Sequence, residues 1–322
     1  MMQRILIAIG AGLAAAILFV VPVKGTAMAM FVAILSALPI MIAGLGFGQA
    51  SALIAGGIGA VLISLFLTPI FGGAFLASVA LPSWWLARQA SLCRTGDDGK
   101  VVWYPISLLL GWIVALSIAM TLAIMGLAIM QAGGYQDFTE SSVRRIAPAL
   151  EGVLSNNILP GNFTREDFAR LIVGLMPAVM AGWAVVSLAL NLWLAGRVVL
   201  ISQLLTRTWE DLPEHLALPL QARHFFIIGL LGCLIDGPIR MVGSTIAAAI
   251  GVAYAFQGLA AVHFISRGSS ARTPILMGVY FTVLVMLPWP LIFATITGLI
   301  ETVYPLRRPK TPPRNPPLTP IN

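Results

Sequence analysis

The sequence predicts an all-α fold, a polytopic bundle of transmembrane helices, and three observations support it. Of its 322 residues, 59% are hydrophobic and only 10% are charged, whereas a soluble domain usually carries about 25% charged residues. The mean hydropathy is high, at +0.94. The apolar residues also lie in continuous runs, and a run of roughly 20 helical residues is long enough to cross a hydrocarbon core of about 30 Å. An ordinary water-soluble domain is excluded.

Eight apolar runs have about the length of a membrane span. They cover residues 5–21, 27–45, 51–67, 70–86, 102–130, 171–196, 242–265 and 274–300. The first run follows Arg4 and resembles a secretory signal, but a second apolar run begins at once, which favours an uncleaved span. A ninth run, 225–235, is too short to cross comfortably. If it did cross, Asp236, Gly237 and Pro238 would make a turn before the next span.

The positions of Lys and Arg predict the orientation of the chain, because cytoplasmic loops carry an excess of both. With eight spans, twelve of the 19 basic residues fall inside and seven outside; with nine spans the excess disappears. Eight spans with both termini in the cytoplasm are therefore favoured. We expect a multi-pass protein of the bacterial inner membrane, with 225–241 lying re-entrant or at the interface.

Residues 1–304 are expected to form one transmembrane domain with two large connections. The outer loop, 131–170, has apolar residues at spacings of three and four that predict an amphipathic helix on the outer surface: Val143, Ile146, Leu150, Val153 and Leu154. Thr164 and Asp167 resemble a capping box that opens the sixth span. Residues 198–224 form a cytoplasmic connection. Residues 305–322 include seven prolines, which predicts a disordered tail.

The sequence contains no motif for self-contained catalysis. It has no GxxxxGK[ST], HExxH or GxSxG pattern, and its acids lie in loops or at span ends. Cys93 and Cys233 are far apart, so neither a disulfide nor a metal site is indicated. Basic residues flank the apolar runs singly or in pairs, which predicts contact with lipid rather than nucleic acid. We expect no enzyme, no cofactor and no metal.

Polar side chains inside the spans are the candidate ligand-binding residues: Asn191, Ser187 and Gln257. An uncompensated amide in hydrocarbon is costly, so each must face a partner helix or a cavity. An interhelical hydrogen bond and a ligand contact are both open interpretations. His263 lies near a span end and is expected to be interfacial. Prolines within spans predict kinks: Pro39, Pro177, Pro288 and Pro290.

Two spans carry small residues every four positions. In the first span these are Ala8, Gly12 and Ala16, and in the seventh they are Gly243, Ala247 and Gly251. Small residues at this spacing let helix backbones approach closely. The faces predict close helix packing, either within this chain or with another membrane protein.

Several short motifs resemble the YybS-like family of uncharacterised bacterial inner-membrane proteins. They are Leu38-Pro39-Ile40, the 44–48 run GLGFG, the 81–88 run LPSWWLAR, the 191–199 run NLWLAGRVV and the 257–263 run QGLAAVH. That family is distantly similar to the substrate-capturing S components of energy-coupling-factor transporters, in which a small-residue face on the first helix docks the coupling subunit. The resemblance implies such a role for Ala8, Gly12 and Ala16. Eight or nine spans depart from the six of S components, and no ligand-binding residue carries over.

The leading hypothesis is therefore a transporter subunit that binds a small molecule and has no energy source of its own. Coupling or ATPase subunits would be its partners. The alternative is a membrane scaffold or assembly factor that transports nothing.

Overall fold

The fold is α-helical apart from one short β-hairpin in the residues that the structure, a computed structural model, describes: 2–21, 25, 27–95, 101–150, 164–204, 207, 209–286 and 288–307. The chain divides into two compact units. The first comprises Met1–Glu210 and Ala217–Ala253, and the second comprises Asp211–Leu216 and Tyr254–Asn322. The sequence predicted one domain over 1–304. The chain passes from Ala253 of the first unit to Tyr254 of the second within the apolar helix Pro238–Ile265, so the sequence shows no linker there.

The first unit contains most of the helices. Their bounds are α1 Met2–Val20, α2 Ala27–Ala33, α3 Leu38–Phe47, α4 Gln49–Phe66, α5 Pro69–Phe75, α6 Leu81–Ala90, α7 Ile106–Ala132, α8 Tyr135–Ala149, α9 Arg165–Ile201 and α11 Ala222–Gly232, with the first part of α12 Pro238–Ile265. Between α6 and α7, β1 Cys93–Thr95 pairs antiparallel with β2 Val101–Trp103, and Cys93 faces Trp103. The second unit holds α10 Leu212–His215, the end of α12, α13 Arg272–Val285 and α14 Trp289–Val303.

Six helices in the described residues are long and apolar enough to cross a membrane: Met2–Val20, Gln49–Phe66, Pro69–Ala90, Ile106–Ala132, Arg165–Ile201 and Pro238–Ile265. The predicted all-α architecture is therefore confirmed, whereas the predicted number of eight spans is not. The run 27–45 is interrupted by a 3-10 segment, and 274–300 is broken into α13 and α14 next to Pro288. The 225–235 run lies in α11, an 11-residue helix.

A proline explains each of two irregular segments in the first unit. Residues Ile34–Ala37 form a 3-10 turn before Pro39, and Leu76–Ala80 form a π-helical turn before Pro82. Proline has no N–H, so the carbonyls one turn before it lose a donor and the neighbouring hydrogen bonds shift register. The Leu38 N–H bonds to the Leu35 carbonyl, and the Leu81 N–H bonds to the Leu76 carbonyl.

The small-residue face of α1 packs inside the first unit, against α4. Ala8, Gly12 and Ala16 are buried. A Cβ at Gly12 would lie 2.5 Å from the carbonyl oxygen of Ala55, which means that the two backbones are in direct contact. Of the two interpretations left open, packing within the chain is the one observed. The small-residue face of α1 is already covered by α4.

The connection predicted over 131–170 contains the amphipathic helix α8, and the apolar face of α8 packs against protein. Val143 forms a small core with Ala169 and Val173 of α9, and Ile146 and Leu150 pack beside it. The predicted capping box is present, because Thr164 accepts from the Asp167 N–H and Asp167 accepts from the Thr164 N–H. Val153 and Leu154 lie outside the described residues.

The second unit is organised by a close crossing of α12 and α14. A Cβ at Gly258 would overlap the carbonyl oxygen of Ala294, and one at Gly298 would overlap that of Tyr254. Beyond α14, the side chain of Arg307 is buried and bound to protein atoms. Arg307 lies within the tail predicted for 305–322, and its buried partners hold it against the protein. Residues 308–322 lie outside the described residues.

Candidate functional site

A cavity of about 280 Å³ lies in the first unit where the two irregular segments meet. Its wall combines the last residue of α2, the 3-10 segment, the π-helical segment, α1, α7 and α9. Twelve residues line it: Phe19, Ala33, Ile34, Ser36, Ala37, Ser78, Val79, Met120, Trp183, Ala184, Ser187 and Leu188. Mid-helix 3-10 and π turns are frequent at functional sites because they re-aim side chains and carbonyls. We therefore name this the serine cavity, after Ser36, Ser78 and Ser187.

Asn191 and Ser187 hold the 3-10 segment against α9. The Asn191 Nδ2 donates to the carbonyl oxygens of Ile34 and Ser187, both at 2.7 Å, and the Ser187 Oγ donates to the Ile34 carbonyl at 3.1 Å. The Ile34 carbonyl can accept both because the Leu38 N–H has moved to Leu35. Asn191 is fully buried and makes the interhelical bond, so it is a positioning residue, whereas Ser187 also reaches the cavity.

The three cavity serines differ in how their hydroxyls are used. Those of Ser187 and Ser78 donate to backbone carbonyls, with Ser78 bonding to Ala74 at 2.7 Å. The Ser36 hydroxyl makes no hydrogen bond to any described residue, although Ser36 is only 6% exposed and lines the cavity. Ser36 and Ser78 are not among the residues that the sequence predicts for a site. Their signal is a serine three or four residues before a proline within an apolar run, where the helix loses its regular hydrogen bonds.

Gln257 belongs to a different local environment, in the second unit. It is 3% exposed, and its Nε2 donates to the Gly298 carbonyl at 3.1 Å, beside the α12–α14 crossing. Its amide thus links two helices, as Asn191 does in the first unit. His263 is half-buried, and its Nε2 lies 2.7 Å from the Tyr280 hydroxyl.

The small-residue face of α12 also has a partner within the chain. A Cβ at Gly243 would lie 2.6 Å from the carbonyl carbon of Gly232, and a Cβ at Gly229 would lie 2.8 Å from the backbone nitrogen of Ala247. Gly243 and Ala247 therefore pack against α11. Gly251, one turn further along α12, makes a contact of its own.

Arg207 is a buried cation, although the sequence predicted only that it lies on the cytoplasmic side. It is 3% exposed, and it donates to the carbonyls of Ala90 at 2.9 Å and Tyr104 at 2.8 Å, while its guanidinium lies over Trp209. Burial lowers the pKa of its guanidinium from the ordinary value, and the nearby charge of Glu210 opposes that shift. Since Ala90 ends α6 and Tyr104 precedes α7, Arg207 fixes two helix ends.

No model of a known protein family matches the chain, and searches of curated proteins and of solved structures find no match. The resemblance to the YybS-like family therefore rests on the short motifs alone.

The shared acceptor on Ile34 makes a testable prediction. Asn191→Leu and Ser187→Ala should each lower the free energy of unfolding by about 1 kcal/mol, typical of one hydrogen bond. The double variant should lose more than the sum, because only then is the buried Ile34 carbonyl left without either side-chain donor. Denaturant titration in detergent measures this. The control is Ser64→Ala, whose hydroxyl bonds within its own helix to Ala60; strict additivity would contradict the shared acceptor.

Proposed function

We propose that the chain is an integral protein of the bacterial inner membrane that binds a small molecule in the serine cavity and acts as a transporter subunit. The observation that carries the proposal is the convergence of a 3-10 turn and a π turn on one cavity with three serines. Six apolar helices of spanning length support the membrane setting. The cavity volume, about 280 Å³, is near the lower end of small-molecule sites, which run from about 300 to 1,000 Å³.

The chain has no phosphate-binding loop in its sequence, so ATP-driven transport requires a second protein. Coupling or ATPase subunits are the partners that we propose, with both termini of this chain in the cytoplasm. Docking through Ala8, Gly12 and Ala16 would require α4 to leave α1, because those residues are buried. We therefore place the partner contact elsewhere, and pull-down in mild detergent tests it: recovery of no ATPase or coupling subunit would contradict this part.

A cavity-filling variant tests ligand binding directly. Ala184 lines the cavity, so Ala184→Phe should fill part of it and abolish retention of the native small molecule. Val179 lies on the same helix but is 66% exposed, so Val179→Phe is the matched control and should retain it. Mass spectrometry of small molecules extracted from the purified proteins is the measurement. An identical set of molecules in wild type and Ala184→Phe would overturn the assignment of the cavity, and no retained molecule in either would favour the scaffold hypothesis.

A further inference from the structure

We infer that the molecule held in the serine cavity is uncharged and lipid-soluble, carries a hydroxyl or similar hydrogen-bonding group that pairs with Ser36, and enters from the bilayer. This inference rests on the proposed function and names the class of ligand for that same site.

The lining of the cavity selects against charge. All twelve described lining residues are neutral. Three of them are serines, and among the other nine only Trp183 has a side-chain hydrogen-bond donor, its indole nitrogen. Moving an ion from water into such a site is strongly unfavourable unless an opposite charge or several hydrogen bonds replace its hydration. Two of the three serine hydroxyls already donate to backbone carbonyls. A carboxylate or phosphate would therefore find few donors and no cation among the described lining residues.

The depth of the cavity places it among acyl chains. Ser36 and Ser78 stand nine residues after Ala27 and Pro69, where their helical stretches begin, which corresponds to about 13 Å at the helical rise of roughly 1.5 Å per residue. Trp183 is the central residue of the 37-residue helix α9. Ser78 and Trp183 are thus well inside two of the helices that are long enough to cross a membrane, and Ser36 lines the same cavity.

The opening of the cavity faces the same region. Trp183 lines the cavity and is nevertheless 48% exposed. Because it lies at the centre of α9, its exposed surface contacts lipid rather than water. A ligand that passes Trp183 therefore comes from the hydrocarbon region, and this path favours neutral molecules that already partition there.

Ser36 supplies the polar recognition. Its hydroxyl has no hydrogen-bond partner in the described part of the chain, and the residue is buried at the cavity wall. The Ser36 oxygen is not among the polar atoms sealed inside the protein without a partner, so it opens on the cavity, where only a ligand could supply its hydrogen bond. A ligand hydroxyl or amide would supply the missing hydrogen bond of Ser36. The same neutral group has no water to bind in the hydrocarbon region, so its transfer from lipid into the cavity costs little free energy.

Photolabelling of the full-length protein in lipid nanodiscs tests the ligand class. The probes are a diazirine-bearing medium-chain alcohol and the carboxylate and ammonium compounds of the same chain, each competed with its unlabelled form. We expect the alcohol alone to label peptides that contain Ser36 or Trp183. Ser36→Ala should weaken labelling by the alcohol roughly 3- to 10-fold, the value of one neutral hydrogen bond, and the control Ser64→Ala should leave it unchanged.

The outcomes separate this inference from the proposed function. Saturable labelling of the cavity by the carboxylate or ammonium probe, but not by the alcohol, would overturn the ligand class and keep the cavity as a binding site. Equal labelling by the alcohol in wild type and Ser36→Ala would overturn the role of Ser36. If no probe labels the cavity and no molecule is retained on purification, the proposed function itself fails.

Discussion

Gly258→Ala and Gly298→Ala are each expected to force α12 and α14 apart and to lower the free energy of unfolding by about 3 kcal/mol or more, at or above the upper end for overpacking. The added methyl would overlap the carbonyl oxygen of Ala294 in one variant and that of Tyr254 in the other. Both obstacles are backbone atoms, so no side-chain rotation relieves the overlap. Separation of the helices would also break the bond from Gln257 to the Gly298 carbonyl. Thermal unfolding in detergent, followed by size-exclusion chromatography, measures the loss.

Gly278→Ala is the matched control for this experiment. Gly278 is a helical glycine of the same unit, and a Cβ there would meet nothing within 4 Å. Alanine is favoured over glycine within a helix by about 1 kcal/mol, so this variant should be at least as stable as wild type. If Gly258→Ala and Gly278→Ala unfold at the same temperature, α12 and α14 do not cross as closely as described.

The parts of the fold that the sequence predicts well depend on local chemistry. The capping box of Thr164 and Asp167 forms because the two residues need only each other and the first turn of α9. Pro39 predicted a kink, and the helix is indeed irregular there, because a missing N–H acts within one turn. The amphipathic spacing predicted α8, but it could not distinguish burial against α9 from burial in lipid, since both offer an apolar surface.

The break between α13 and α14 shows where the periodicity of apolar residues loses information. Hydropathy alone treats 274–300 as one span, because every residue around Pro288 and Pro290 is apolar or small. Pro288 and Pro290 are two residues apart and so remove two donors within a single turn. The helix ends at Val285 and begins again at Trp289. Pro288 and Pro290 were expected to kink a single helix, and the observed change is a full interruption.

The candidate site was only half predictable for a similar reason. Asn191 and Ser187 were found because a polar group in an apolar run must have a partner, and the structure supplies Ile34 as that partner. The identity of Ile34 depends on how α9 packs, which no local pattern encodes. Ser36 escaped notice because serine is common in spans, and its significance lies in a cavity made by five separate segments.

Arg307→Met is expected to lower the free energy of unfolding by about 3–5 kcal/mol, the usual cost of removing one partner from a buried ion pair. Arg307 and Glu301 pair with their side chains only 8% and 6% exposed. Arg307 also donates to the carbonyls of Pro213 at 3.0 Å and Leu216 at 3.0 Å, so the variant releases the α10 segment as well. The loss should appear in denaturant titration, and protease cleavage within residues 211–216 should become faster.

The cost should come mainly from the stranded carboxylate, because the second oxygen of Glu301 is already buried without a hydrogen bond. Glu301→Gln combined with Arg307→Met should therefore recover part of the stability, since no unpaired charge stays buried, but α10 should stay sensitive to protease because its carbonyls still lack Arg307. The exposed pair of Arg144 and Glu140 provides the control, and Arg144→Met should cost at most about 1 kcal/mol. If Arg307→Met lowered the free energy of unfolding by no more than Arg144→Met does, Arg307 would not fix the end of α14 to α10. The disordered tail predicted from residue 305 onward would then stand at Arg307 as well.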